Sequence, residues 1–364
     1  MVNHTTINKQ GKTIIELMQK AGITPTLIYS LEHGFFPVAQ DMEAVNETPS
    51  LFDIPIISLY GTSVNTLEPP ADTLSKFDIL IYDVQDIGSR YYTYLSSLMM
   101  MMPYLESEQK QLVILDRPNP IGGRVEGARL QPKYRSFVGI ADTLQRHGLT
   151  SGEVATYYYK KQRFTFPVSV EKLAGWSRMS YLDDYDYPWI PTSPNMPTVD
   201  TAVLYPGGCL VEGTTLSEGR GTTQPFHLIG APECDPFALS EHLTNLEIPG
   251  LQFIPMRFRP AFQKHAGKEC GGTYITISDR AKLRPLRAFI ALLMAMRSTM
   301  KKDTFLRTKP YEFIDDIPAI ELLLGHETLI ELFTRGASYS EIDAFLLTEE
   351  SEYQATIAPF LLYS

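Results

Sequence analysis

Apolar residues in the first half of the chain fall in short runs, each followed by a polar or glycine-bearing cluster. Helical spacing at Ile14, Ile15, Leu17 and Met18 predicts a helix over Thr13–Lys20, with Gly22 as its terminator. Thr26–Ser30 (TLIYS), Pro55–Leu59 (PIISL), Ile79–Asp83 (ILIYD) and Leu112–Asp116 (LVILD) have the length and boundaries of strands. Between the last two, Arg90–Met102 is long enough for a crossover helix. Strands alternating with helical segments predict a mostly parallel sheet in a doubly wound α/β fold.

The pattern changes further along. Thr150-Ser151-Gly152-Glu153 is a capping box opening a helix over Val154–Lys160, which gives Glu153 a structural task rather than a catalytic one. Trp189–Phe226 is rich in Pro, Gly, Ser and Thr and reads as a long loop, ordered by Trp189, Met196, Leu204 and Phe226. From about residue 226 come a helix (Pro236–Leu246), two strands (Leu251–Arg257 and Thr273–Ile277), an apolar helix (Pro285–Met300) and short C-terminal helices. This predicts a smaller α+β domain.

Composition narrows the classes. A chain of 364 residues exceeds one typical core, so two domains are expected. A net charge of −10 without a basic stripe argues against nucleic acid as a partner. Cys209, Cys234 and Cys270 are too scattered for a disulfide framework or a zinc site and suit buried thiols. The apolar stretch around Leu98–Met102 stops at Pro103, too short to span a membrane. MVNHTTINKQ lacks a basic-then-apolar leader, so the sequence as it stands reads as cytoplasmic. Val2–Thr5 nevertheless resembles the end of a strand. A start placed too late would remove a first strand and any export signal.

The clusters behind the strands are Leu31-Glu32-His33-Gly34, Tyr60-Gly61-Thr62-Ser63, Val84-Gln85-Asp86-Ile87-Gly88 and Arg117-Pro118-Asn119-Pro120. Open parallel sheets bind ligands outside the carboxyl ends of their strands. No Walker loop, G-x-G-x-x-G after a strand, G-x-S-x-G or H-E-x-x-H occurs. Seven scattered histidines do not make a metal set, and no cofactor is expected. What remains are carboxylates (Glu32, Asp83, Asp86, Asp116, Glu218) among Arg90, Arg117, Arg220, Gln85, Asn119, Asn195 and tyrosines. Aromatic faces with fixed polar partners suit a sugar, and paired carboxylates suit glycoside hydrolysis. The competing reading is a carboxylate–arginine scaffold that braces loops, strongest at Asp116-Arg117.

Five stretches, YDVQDIGSRYYTY, LDRPNPIGGRVEG, RHGLTSGE, SPNMPTVDTAVLYPGGCLVEGTTLSEGRGTTQPF and FRPAFQKHAGKECGG, together resemble the exo-β-N-acetylmuramidase family from Asn3 to Tyr363. The resemblance implies a Rossmann-like catalytic domain over residues 1–225, a smaller domain over 226–364, and a cleft between them. It implies release of N-acetylmuramic acid from the non-reducing end of peptidoglycan fragments. The family's catalytic glutamate lies in an E-H-G motif, here Glu32-His33-Gly34. Glu32 is then the expected general acid, His33 its positioning neighbour, and Asp86 a further catalytic candidate. Asp83, Gln85, Arg90, Tyr91, Arg117, Asn119, His147, Asn195, Glu218, Arg220 and Thr222 are the expected sugar-binding residues. Glu32, Asp83, Gln85, Asp86 and Asn119 should share one cleft. The lactyl carboxylate calls for an arginine, and glycine-flanked Arg220 is the favoured one. The sequence departs from the family in having Leu31 where proline precedes the glutamate, and Phe36-Pro37 where Arg-Gly follows it. That admits altered specificity, or a muropeptide-binding protein without turnover.

Overall fold

The computed structural model describes residues 1–48, 50–299 and 305–364. Helix α1 (Ile14–Lys20) opens on a reciprocal cap, with the Thr13 hydroxyl taking the Glu16 N–H and the Glu16 carboxylate taking the Thr13 N–H. Strands β1 (Ile28–Ser30), β2 (Ser50–Leu51) and β3 (Ile54–Ser58) form one sheet, in which β1 runs parallel to β3 and β2 is an antiparallel edge. After α2 (Ala71–Leu74) come β4 (Ile79–Tyr82), α3 (Thr93–Ser107), β5 (Gln111–Leu115), α4 (Ser151–Gln162) and β6 (Val168–Glu171). Strands β4, β5 and β6 are parallel neighbours in that order.

The segment Met1–Asn3 joins the two sheets. The Val2 N–H reaches the Tyr29 carbonyl of β1 at 3.2 Å, and the Asp83 N–H reaches the Met1 carbonyl at 3.1 Å. The Met1 ammonium donates to the Ile81 carbonyl of β4 at 2.7 Å. One continuous sheet therefore carries Glu32, Asp83 and Asp116 at the carboxyl ends of its strands.

The expected loop at Trp189–Phe226 contains a helix, α5 (Val199–Gly208), started by the Thr198 hydroxyl accepting the Thr201 N–H at 3.1 Å. Nearly all of α5 is buried, so no amphipathic stripe marks it in the sequence, and Pro206, Gly207 and Gly208 look like breakers. Gly207 is required by packing: a Cβ there would lie 2.0 Å from the Pro285 carbonyl oxygen.

Beyond it lie β7 (Leu228–Ala231), α6 (Pro236–Thr244), β8 (Leu251–Phe258) and β9 (Cys270–Ile277), an antiparallel sheet of order β7-β9-β8. Strands β6 and β7, short and without clear alternation, were not expected from the sequence. Helices α7 (Pro285–Thr299), α8 (Ala319–Leu324), α9 (Glu327–Arg335) and α10 (Tyr339–Ile357) complete the fold. Met300, the expected last residue of α7, lies outside the described residues.

A single apolar cluster runs from Tyr82, Leu98 and Ile114 through Leu204 to Phe289 and Leu346, so both parts of the chain share one core. Buried Arg287 on α7 reinforces the join, contacting Asp343 at 2.6 Å and Glu350 at 2.6 Å on α10 and Glu126 at 3.4 Å. The three cysteines are free thiols. Among the described residues no helix is long and apolar enough to cross a membrane.

Candidate active site

Glu32 leaves the end of β1 and is 4% exposed. The chain then turns sharply, with His33 at φ 70° and Gly34 at φ 93°, both left-handed. A non-glycine residue held there is a local strain of the kind that clusters at working sites. The Thr93 hydroxyl, in the first turn of α3, donates to Glu32 Oε2. His33 Nδ1 donates to the Ala39 carbonyl at 2.9 Å, which leaves Nε2 as the acceptor nitrogen.

Glu32 and His33 line a cavity together with Asp41, Tyr91, Thr93, Asn195, Tyr205, Glu212, Arg220, Phe226 and Glu312. Its free space is about 20 Å³, room for a single water. The loop bearing Asp41 covers it. The Asn195 amide donates to Gln40 Oε1 at 2.9 Å, and Arg220 Nη2 lies 3.4 Å from Asp41.

Arg220 is held between Gly219 and Gly221, at φ 82° and 79°. A Cβ at Gly221 would lie 2.7 Å from the Phe262 backbone, so only glycine lets this turn approach so closely. The guanidinium, over the Phe226 ring, contacts Glu212 at 2.7 Å and Glu218 at 3.3 Å. Burial opposes its charge, but Asp41, Glu212 and Glu218 hold its pKa well above the usual range. Glu212 is pushed up, chiefly by burial, and also accepts the Tyr311 hydroxyl at 2.7 Å. Burial acts the same way on Glu218, yet Lys264 at 2.9 Å and Arg220 outweigh it and bring its pKa down. Glu312 is 3% exposed and accepts the Tyr60 hydroxyl at 3.1 Å. Burial, then the charges of Glu32 and Asp41, push it well above the carboxylate range.

Other expected site residues lie elsewhere, and the five meant to share one cleft do not. Arg117 pairs with Asp83 at 2.5 Å and contacts the Tyr187 hydroxyl at 3.0 Å. Both line a separate, roomier cavity of about 460 Å³ walled by Ile7, Leu17, Leu173, Trp176 and Tyr185. That cavity is the larger, but its ion pair is mutually satisfied, whereas the carboxylates around Glu32 are crowded and partly unpaired. Asp116, which lines the same cavity, accepts from Thr150, Gly152 and Tyr363 and is a brace.

The remainder serve the loop backbone, whose buried groups need partners. Gln85 donates to the Asp86 and Pro118 carbonyls. Asp86 accepts the Gly88 N–H at 2.6 Å and lies 3.4 Å from His147. Asn119 bridges Leu149 and Ile121. Arg90 donates to four carbonyls, of Ala128, Thr143, Leu323 and Leu324. Thr222 closes the glycine turn by donating to the Gly219 carbonyl at 2.6 Å.

Sequence reasoning did not single out Asp41, Glu212, Tyr311 or Glu312. Glu212 stands inside the CLVEGTT stretch, which offered a signal. Asp41 and Glu312 are isolated acids in loops, and nothing local marks them. Among the described residues Glu32, Asp41 and Glu312 form the one acidic group tight enough for a metal, with one oxygen from each within 4.8 Å of the others. Arg220 lies beside Asp41, burial and neighbouring charges disfavour the Glu312 anion, and no metal is assigned to the cluster.

Buried carboxylates facing an arginine in a cavity on an α/β scaffold are the equipment of a glycoside hydrolase. Family models described as exo-β-N-acetylmuramidase NamZ, N-terminal and C-terminal, match residues 1–200 and 203–363. The chain belongs to this family of glycosidases. The peptidoglycan β-N-acetylmuramidase NamZ of Bacillus subtilis (strain 168) is 36% identical over 369 aligned positions, covering 100% of this chain and 86% of the relative. Crystal structures of two DUF1343 family proteins from Bacteroides fragilis NCTC 9343 are similar throughout. BF0371 matches with TM-score 0.88 at 26% identity over 100% of this chain and 93% of its own. BF0379 matches with TM-score 0.76 at 28% identity over 100% of this chain and 92% of its own. Glu32, His33, Asp41 and Asn195 come from the first matched segment; Tyr205, Glu212, Arg220 and Glu312 come from the second.

Proposed function

We propose that this chain is an exo-β-N-acetylmuramidase that releases N-acetylmuramic acid from the non-reducing end of peptidoglycan fragments. The observation that carries this reading is the cavity shared by Glu32 and Arg220. Glycoside hydrolysis needs a carboxyl group at the scissile bond, and Glu32 supplies it. N-acetylmuramic acid differs from N-acetylglucosamine by a lactyl ether that ends in a carboxylate. A buried guanidinium is the side chain suited to that anion, because its planar fork matches two oxygens.

In the closed cavity Asp41 holds the place that the lactyl carboxylate takes when substrate binds. A pyranose cannot fit in about 20 Å³, so binding lifts the Gln40–Asp41 loop and hands Arg220 from Asp41 to the sugar. His33 Nε2 and the Asn195 amide then meet hydroxyl or acetamido groups, and Tyr91, Tyr205 and Phe226 face the apolar side of the ring. Asp83, Gln85, Asp86, Arg90, Arg117, Asn119 and His147 act one layer away, by holding the loops that shape the cavity. Glu218 and Thr222 set the geometry of Arg220.

In the same reading residues 1–225 are a Rossmann-like catalytic unit and 226–364 a smaller auxiliary unit that brings Glu312 to the cavity. The test is a pair of nitrophenyl glycosides, one of N-acetylmuramic acid and one of N-acetylglucosamine. Turnover of the first and little of the second is expected. Saturable binding of muramyl sugars without turnover would instead favour a muropeptide-binding protein.

A further inference from the structure

The cavity holds two carboxylates that no cation separates. Of the three that converge, Asp41 is the one beside Arg220. Among the described residues neither Glu32 nor Glu312 has a salt-bridge partner, and each receives one hydroxyl, from Thr93 and Tyr60 respectively. They reach the cavity from opposite ends of the chain, with oxygens no more than 4.8 Å apart. Retaining glycosidases hold their two carboxyl groups about 5–5.5 Å apart, whereas inverting ones need about 6.5–9.5 Å to admit a water. One oxygen of each carboxyl group here lies within that shorter distance of the other, which fits the retaining arrangement.

Resting on the glycosidase reading of this cavity, we infer that Glu312 is the second catalytic carboxylate, the proton donor to the glycosidic oxygen, that Glu32 is the nucleophile, and that hydrolysis retains the β configuration. The expectation that Glu32 is the acid thereby passes to Glu312. Of the two, Glu312 is the one suited to hold a proton, because burial and then the charges of Glu32 and Asp41 act against its anion.

The Glu312 proton moves to the glycosidic oxygen as the C1–O bond breaks and Glu32 bonds to C1 from the α face. The shortened glycan leaves with its new hydroxyl. A water then gives its proton to the Glu312 carboxylate and attacks C1 from the β face, releasing Glu32. Two inversions return the β anomer, and both carboxyl groups end as they began.

The decisive measurement uses the unmodified protein. Proton NMR of the first N-acetylmuramic acid released, before mutarotation, should show the β anomer; the α anomer overturns the proposal. Variants assign the roles. Glu312→Gln keeps an acceptor for the Tyr60 hydroxyl and should fold. In kcat/KM it should slow natural glycans by about 10²- to 10⁴-fold while sparing dinitrophenyl glycosides, whose leaving group needs no proton; kcat on the latter falls, because Glu312 is also the base of the second step. With azide, Glu312→Ala should yield a β-glycosyl azide and Glu32→Ala an α-glycosyl azide. Equal loss of kcat/KM on both substrate types by Glu312→Gln removes it as the acid. A β product without any azide adduct from Glu32→Ala makes the acetamido group the nucleophile and overturns that part. Absence of hydrolysis by the unmodified chain is a different outcome, because it removes the glycosidase reading itself.

Discussion

Replacing Arg220 by alanine separates folding from recognition, because the same guanidinium serves both. In the free protein it contacts Glu212, Glu218 and Asp41. Breaking a buried ionic group from one side costs about 3–5 kcal/mol. The structure places Arg220→Ala near the lower end. Glu218 keeps Lys264 at 2.9 Å, Glu212 keeps the Tyr311 hydroxyl and can hold a proton, and Asp41 sits on a loop that can turn to water. With about 2.1 cal/mol/K of unfolding entropy per residue over 364 residues, a loss of about 3 kcal/mol lowers Tm by about 4 °C. The effect on recognition is separate. Hydrogen bonds to a charged group contribute about 1.5–3 kcal/mol, so the muramyl-over-glucosaminyl preference in kcat/KM should fall by about 10- to 150-fold. Scanning calorimetry and the two nitrophenyl glycosides measure the two effects independently. A folded Arg220→Ala protein with its preference intact would refute the assignment, whatever its Tm.

Asp41→Asn weakens the contact that closes the loop over Arg220, so KM should fall for muramyl and lactyl-free substrates alike, because either sugar must lift that loop; steady-state kinetics on both decides. Glu312 faces Glu32, Asp41, Glu212 and the Tyr60 hydroxyl, and its folded-state pKa lies above its ordinary value. Its protonated form is therefore present at low pH and lost as pH rises through the raised pKa. A pH–rate profile should show an alkaline limb that Glu312→Gln lacks on activated aryl glycosides. Arg90→Met removes donors from four carbonyls at about 1–3 kcal/mol for each one left buried and unpaired. Denaturant unfolding should show a loss of several kcal/mol, with KM unchanged in the protein that folds.

The parallel part of the sheet was legible because its strands are short apolar runs closed by turn residues, as at Ile79–Tyr82 and Leu112–Leu115. The reciprocal cap at Thr150–Glu153 was legible for the same local reason. Helix α5 was not, because burial on all sides erases periodicity and its glycines answer to α7, nearly eighty residues away in sequence.

The site divides along the same line. Glu32, His33, Tyr91, Asn195 and Arg220, all on recognisable stretches, meet in one cavity. Gln85, Asp86 and Asn119 have the chemistry of ligand-binding groups, but each commits atoms to partners invisible in the sequence, the Pro118 carbonyl, the Gly88 N–H and the Leu149 carbonyl, with only Gln85 Oε1 and Asp86 Oδ1 left without a hydrogen bond among the described residues. Glu312 went unseen for the converse reason. Its significance is its closeness to Glu32, which lies 280 positions earlier in the chain.

The most direct test of the account is mass-spectrometric detection of free N-acetylmuramic acid from a peptidoglycan-derived glycan with that sugar at its non-reducing end. The unmodified chain should release it one residue at a time. Glu32→Gln, which keeps an oxygen to accept the Thr93 hydroxyl, should bind the same glycan and slow release by at least about 10²-fold. Release at the unmodified rate by Glu32→Gln would contradict the central claim, because the carboxylate that shares the cavity with Arg220 would then have no part in breaking the bond.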